Sequence, residues 1–333
     1  DSNKESDFRN LYDCVANDKC FLGKTIEEFN LDGEGVEVAI VDGGFPMFFQ
    51  GELEHPANIA YPKDHFGPST YDLKSKHART VTHQILQKLP KTKILPYTWD
   101  KITTHQNLLL PNDRFDPATQ GLIDLLKGKV AGKNNVQVLD MSFGHKSPGM
   151  SNNPTYWDYV NRRAAAGHLA VDLGISCNVS VGNDRAADPV TSRNMALGGV
   201  NALLAYVGHG KKFIQPEGVF RVASYDEYRK KFIETSGTQD PLNTSGIELV
   251  GVHGYTDVSH RRKRGIELTE IYPATSFAVP NKGNIDIMAI QHLRRKGIKF
   301  DPKKHNRLAL ETAITIPGRE YYEANRALSA ASL

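Results

Sequence analysis

The chain has 333 residues, 39% of them apolar and 24% charged, which suits one large α/β domain or two small ones. A net charge of +3 and a pI near 8.6 are too mild to imply a nucleic-acid partner or an anionic membrane surface. No run approaches the ~18 apolar residues of a membrane span, and neither an internal repeat nor a low-complexity tract occurs.

Residues 1–34 read as an N-terminal extension. The sequence opens at Asp1 with no initiator Met and no apolar signal region, which admits a signal or pro-segment removed earlier. Cys14 and Cys20 lie in this extension and Cys177 in a later apolar run. A Cys14–Cys20 disulfide fits an exported protein, and three unpaired thiols are the alternative. No C-x-x-C or H-E-x-x-H spacing occurs, so no metal ligand set is expected.

The first strand is VEVAIV, Val36–Val41, nearly continuous and β-branched, hence buried on both faces. A helix pattern over His77–Lys88 follows, then a strand over Thr92–Tyr97 and a helix over Thr119–Lys129. Strand signals recur at Val136–Gly144, Ile175–Gly182 and Ile247–Val252, with a helix over Tyr156–Leu173 between the first two. Helices over Ser276–Arg295 and Pro302–Ala313 come next, and Glu320–Leu333 reads as a surface helix. Strands alternating with helices predict a three-layer α/β fold, a mostly parallel sheet with helices on both faces. Polar, turn-rich stretches at Thr98–Asp116, His145–Thr155, Asp184–Gly218 and Tyr225–Gly246 read as insertions at strand ends. No composition break divides the chain, so 1–333 reads as one domain.

Four residues stand out at places where chemistry is done. Asp42 ends the first strand ahead of Gly43-Gly44, at the carboxyl end of a parallel strand where open α/β sheets bind ligands. Its plainer role is to cap a turn. His77 opens a helix whose Val81, Ile85 and Leu86 make an apolar stripe, so the core would hold it in place; His83 is its rival on another face. Asn183 follows the fourth strand in the sequence GND and could aim an amide at a reacting carbonyl, or simply make the turn. Ser276 lies in YPATSFAVP, ahead of an apolar helix whose first turn would accommodate Pro280. There it is a nucleophile with its own N–H available to an oxyanion, or an N-cap.

The order Asp, His, Asn, Ser is telling, because Asp, His, Ser is the chain order of subtilisins. The sequence resembles the subtilisin-like serine proteases over most of its length. VAIVDGGF resembles the aspartate motif of that family, HARTV its His-Gly-Thr-x-Val, and VLDMSFG its substrate-binding strand. SVGND resembles its Ala-Gly-Asn oxyanion motif, IELVGVHGYTDV the strand and Ala-Pro-Gly turn before the serine, and ATSFAVP its Gly-Thr-Ser-Met-Ala-x-Pro.

The resemblance implies a subtilisin-like fold with catalytic Asp42, His77, Ser276 and Asn183. Ser276 would attack the scissile carbonyl, His77 would move the proton, and Asp42 would orient His77. Asn183 would bind the oxyanion of an acyl-enzyme mechanism. Ser142, Phe143 and Gly144 would pair with an extended peptide or protein substrate, and Val181 and Gly182 would help line the pocket for the residue before the scissile bond. No cofactor is required for this chemistry. Structural calcium is common among such proteins, and no loop of this chain maps onto a calcium site residue by residue. A removed pro-segment and export from the cell are further implications.

Departures from the family pattern are Ala78-Arg79 for Gly-Thr, Ala274 for Gly, Gly43 for Ser or Thr, and Asp140 where Asn is common. Gly43 removes a hydroxyl that could support Asp42, a loss on the order of 1–2 kcal/mol. These departures motivate an alternative, a pseudoenzyme that binds peptides or proteins without cleaving them. An α/β-hydrolase is disfavoured by the lack of a G-x-S-x-G elbow. A dinucleotide site is disfavoured because the glycines of GEGVEV precede their strand. Asp184 and Asp188 would favour a basic or polar residue before the scissile bond, unless they are only solvated. RRKR at Arg261–Arg264 reads as a solvated loop, with a processing site or an anionic docking patch as alternatives. The sequon Asn178-Val-Ser180 sits in a buried strand pattern and reads as a chance match.

Overall fold

A computed structural model describes residues 9–11, 14–15, 22–42, 77–98, 117–142, 154–180, 206–207, 213–214, 217–226, 231–232, 249–253, 255–256, 260–263, 266–269, 272–273, 275–312, 314–315 and 325–327. Helix α1 spans Gly23–Phe29, α2 His77–Lys88, α3 Pro117–Val130, α4 Pro154–Asp172, α5 Thr275–Arg295 and α6 Pro302–Thr312. The main sheet contains β1 (Glu37–Asp42), β2 (Lys93–Thr98), β3 (Val136–Met141), β4 (Ser176–Ser180), β5 (Val219–Asp226), β6 (Leu249–His253), β7 (Ile314–Thr315) and β8 (Asn325–Ala327). Its order is β7-β8-β6-β5-β4-β3-β1-β2, with Lys231–Phe232 paired to β5 at the side. From β2 across to β8 every described pairing is parallel.

Alternation along the strands sorts side chains into two cores. Val38 and Ile40 of β1 join Ala78, Val81, Ile85, Leu86 and Leu89 of α2 and the apolar residues of α5 on one face. Ala39 and Val41 join Leu122, Leu125 and Leu126 of α3 and Ala166, Ala170 and Val171 of α4 on the other. The sheet needs cover on both faces because its strands are apolar on both. The register slips between Glu37↔Val136 and Val38↔Val138, passing over Gln137. After that slip Val138, Asp140 and Ser142 alternate with Leu139 and Met141, and Val138 packs in the α5 core while Leu139 and Met141 pack in the other.

Helix α5 is the axis of the first layer. It packs across β3, β4, β5 and β6 and against α2, and all of its residues from Thr275 to Leu293 are buried except Phe277. An all-round buried helix is normally apolar; this one carries Asn281, Lys282, Asn284, Asp286, Gln291 and His292 in the interior. At its carboxyl end it is tied to the segment before β1. Gln291 Nε2 donates to Asp32 Oδ1 at 2.7 Å, and Gln291 Oε1 accepts from the Asp32 and Gly33 N–H groups. Arg295 donates to the Phe29 and Asn30 carbonyls.

Four sequence expectations change. β5 is a central strand where none was expected: VFRVASYD carries Arg221 in mid-run, which breaks the apolar signature, yet Arg221 is fully buried. Burial pushes the Arg221 guanidinium down to about 9. Glu320–Leu333 is not all helix, because Asn325–Ala327 pairs with the open edge of β6. Pro280 sits inside α5 rather than in its first turn. RRKR is not a plain loop: His260–Lys263 pairs antiparallel with Ile266–Thr269. Cys14 Sγ donates to Glu28 Oε2 at 3.1 Å; Cys20 lies outside the described residues.

Candidate active site

In the sheet order the chain runs from β1 outward to β2, then crosses back past β1 to β3 and continues the other way. This reversal opens a crevice at the carboxyl ends of β1 and β3, the place where doubly wound sheets hold their sites. Asp42 is the last residue of β1, Ser142 follows the last residue of β3, and Ser180 ends β4.

Asp42 is only 2% exposed. Its two carboxylate oxygens accept from His77 Nδ1 at 2.9 and 2.8 Å. His77 is the first residue of α2, and Ala78, Val81 and Ile85 behind it are wholly buried, so the helix has little freedom to carry the ring away. Burial works against the charged imidazolium, but the Asp42 charge and its hydrogen bond outweigh that and raise the His77 pKa above its ordinary 6.5. With the Nδ1 proton given to Asp42, the neutral ring keeps a lone pair on Nε2. The side chain is 35% exposed.

Ser276 is the second residue of α5. Its hydroxyl does not cap its own helix but donates to the Ser142 carbonyl, at 2.9 Å, across the crevice. Its neighbour Phe277 lies against His77, with ring centroids 6.0 Å apart and planes inclined by 32°. The starts of α2 and α5 thus meet over the ends of β1 and β3. A backbone N–H at such a helix start has no intrahelical acceptor and is free for an anionic ligand.

Asp42 is brought to His77, Ser276 to Ser142, and Phe277 beside Ser276 to His77. Phe143, Gly144, Val181, Gly182 and Asn183 lie outside the described residues, as do Asp184 and Asp188. Among the described residues no group of three or more His, Cys, Asp or Glu could hold a metal ion, and no helix is long and apolar enough to cross a membrane.

A second polar cluster escaped the sequence reading. Beneath the crevice, Asp140, Ser176, Asn178, Lys282, Asp286 and His305 are all fully buried. The one signal was the spacing of Lys282 and Asp286, one turn apart in a helix that the sequence reading took into the core, where burying either charge needs a partner.

No protein-family model and no curated protein matches the sequence. Solved structures match its fold. A lanthipeptide protease aligns over 96% of this chain and 93% of its own, with a TM-score of 0.61 and 15% identity. The chain has a subtilisin-like α/β fold. The self-cleaved protease domain of PatA aligns over 90% of this chain and 96% of its own, with a TM-score of 0.52 and 16% identity. The PatG macrocyclase domain aligns over 91% and 93%, with a TM-score of 0.52 and 14% identity. At these identities the fold is what is shared, and it is the fold that the six sequence motifs implied.

Proposed function

We propose that the chain is a serine endopeptidase acting through Asp42, His77 and Ser276. The observation that carries this reading is the two-oxygen contact of Asp42 with His77 Nδ1 at the switch-point crevice, with Ser276 held at the same crevice by the Ser142 carbonyl. In the reaction the Ser276 hydroxyl leaves that carbonyl and gives its proton to His77 Nε2 as Oγ attacks the peptide carbonyl. Asp42 stabilises the imidazolium that forms, and His77 returns the proton to the leaving amine. The Ser276 N–H and the Asn183 amide receive the oxyanion. Water then attacks the acyl-enzyme, with His77 as base again. The Ser142 carbonyl, once released, accepts from the backbone of an extended peptide laid along Ser142–Gly144.

The lanthipeptide protease and the PatA protease domain support a peptide substrate for this fold. The test is labelling by a fluorophosphonate probe in the wild type and in Ser276→Ala, followed by turnover of a peptide library. The wild type is expected to label and to cleave, and Ser276→Ala to do neither. A folded wild type inert to both would return the chain to a peptide-binding role without catalysis.

A further inference from the structure

Asn178 has no role in the proposed chemistry, and its sequon is unusable in the folded state because the side chain is fully buried. Its position is nonetheless unusual. Asn178 of β4 and Asp140 of β3 are register partners, and both project toward α5. Asn178 Nδ2 donates to Asp140 Oδ1 at 2.9 Å and to Asp286 Oδ2 at 2.6 Å. One amide group therefore joins β3, β4 and α5.

Asp286 is the hub on the helix side. Besides Asn178 it accepts from Ser176 Oγ at 3.0 Å, and its other oxygen is contacted by Lys282 Nζ and His305 Nε2. Lys282 Nζ also lies 4.3 Å from the centroid of the Phe220 ring of β5. The helix sits directly on the β3 side of this cluster: a Cβ added at Gly283 would stand 2.4 Å from Asp140 Oδ2. Burial, with the nearby Asp286 charge, pushes Asp140 well above the usual carboxylate range.

The joined elements are those that carry the crevice residues. Asp140 is two residues before Ser142, whose carbonyl holds Ser276, and Asn178 is two residues before Ser180 at the end of β4. Ser276 rides on α5, ten residues before Asp286. We propose that Asn178 is a positioning residue for Ser276, a buried amide that fixes the helix bearing the nucleophile against the two strands whose ends receive the substrate. A hydrogen bond to two elements at once removes their freedom to slide, whereas apolar packing tolerates small shifts. Misplacement of the order of 1 Å costs a reaction about 10²-fold.

This inference rests on the nucleophile reading, and its test separates the two. Asn178→Ala removes both bonds, and Asn178→Ser keeps one donor that can serve only one acceptor. Asn134→Ala is the control: Asn134 donates to the Leu125 carbonyl at 3.1 Å, far from the crevice, and reports ordinary loss of a structural amide. For each variant one measures fluorophosphonate labelling rate, kcat and KM on a cleaved peptide, and urea unfolding. The expected result is a fall in kcat and labelling rate of about 10²-fold for Asn178→Ala, a smaller fall for Asn178→Ser, KM within about twofold of wild type, and no change in kcat for Asn134→Ala. If Asn178→Ala does not fold, Asn178→Ser decides. A folded Asn178→Ser with wild-type kcat and labelling rate, or a loss carried only by KM, overturns the inference while leaving the nucleophile reading intact. A folded wild type that neither labels nor cleaves overturns the nucleophile reading and the inference together.

Discussion

Two aspartates in this fold each face a histidine, and the surroundings send the two pairs in opposite directions. Asp42 meets His77 at the mouth of the crevice, where the ring is 35% exposed and both carboxylate oxygens lie within hydrogen-bond distance of Nδ1. The His77 pKa is raised. Asp286 meets His305 with both side chains fully buried. Lys282 takes the same oxygen, so the carboxylate's charge is already balanced, and burial drives His305 down to about 3. The first pair favours the charged imidazolium more than water does. The second is a neutral donor built into the core. A carboxylate beside an imidazole is thus not a catalytic signature by itself; access to the ring and competition for the carboxylate decide what the pair does.

Breaking the first pair should have the larger effect, and on turnover. Loss of the base in a triad enzyme lowers kcat by about 10⁶-fold, so His77→Ala should abolish measurable peptide hydrolysis. The variant also leaves the buried Asp42 without His77, so unfolding curves on the same preparation must show it folded for the loss of kcat to count.

Breaking the second pair should act on stability first. Asp286→Ala strands the fully buried Lys282 without its carboxylate, and removing one member of a buried pair costs about 3–5 kcal/mol. Urea unfolding of the folded variant at neutral pH measures it. A loss below about 1 kcal/mol would mean that Lys282 reaches water or another acceptor.

The smallest effects are the pH slopes, and they have opposite signs for the two histidines. The His77 pKa is raised, so its contribution to stability is complete below 6.5 and is lost as pH climbs through the folded value. Activity rises over that same upper range, since only the neutral ring can act as base. The His305 pKa is lowered to about 3, so its contribution is present above 6.5 and erodes as pH falls, by about 1.4 kcal/mol per pH unit. The difference between wild type and His305→Gln from pH 6.5 to 4.5 isolates it, because Asp140, raised by burial, titrates in both proteins, and Asp32, which burial would raise but Lys91 and Gln291 lower to about 2, begins to matter only near its ordinary 3.8 and below. Unfolding titrations across that window in wild type and His305→Gln should differ in slope by that amount, and parallel slopes would show His305 to be solvated.

Taken alone, Asp42, His77 and Ser276 each had a plainer role, as turn cap, one of several histidines or N-cap. Only their order and the motifs around them, matched to the subtilisin-like pattern, singled them out as a candidate site, because local structure fixes where a side chain emerges but not what it meets. The Asp140–Asn178–Asp286 cluster was not legible as a cluster. Its members are 38 and 108 residues apart along the chain, and each alone reads as an ordinary polar residue inside an apolar run.

The amino-acid sequence by itself determined the alternation of strands and helices, the two-sided burial of the sheet and the carboxylate, imidazole and hydroxyl of the crevice, since these follow from local periodicity and from motif order. Only the tertiary structure decided which strand ends share the crevice, that Ser276 rests on the Ser142 carbonyl, and that β5 with its buried Arg221 and β8 at the open edge of β6 belong to the sheet. The physical reason is that a buried charge or a three-residue strand has no favourable state on its own; both are stabilised only by partners distant in sequence, and local pattern carries no record of those partners.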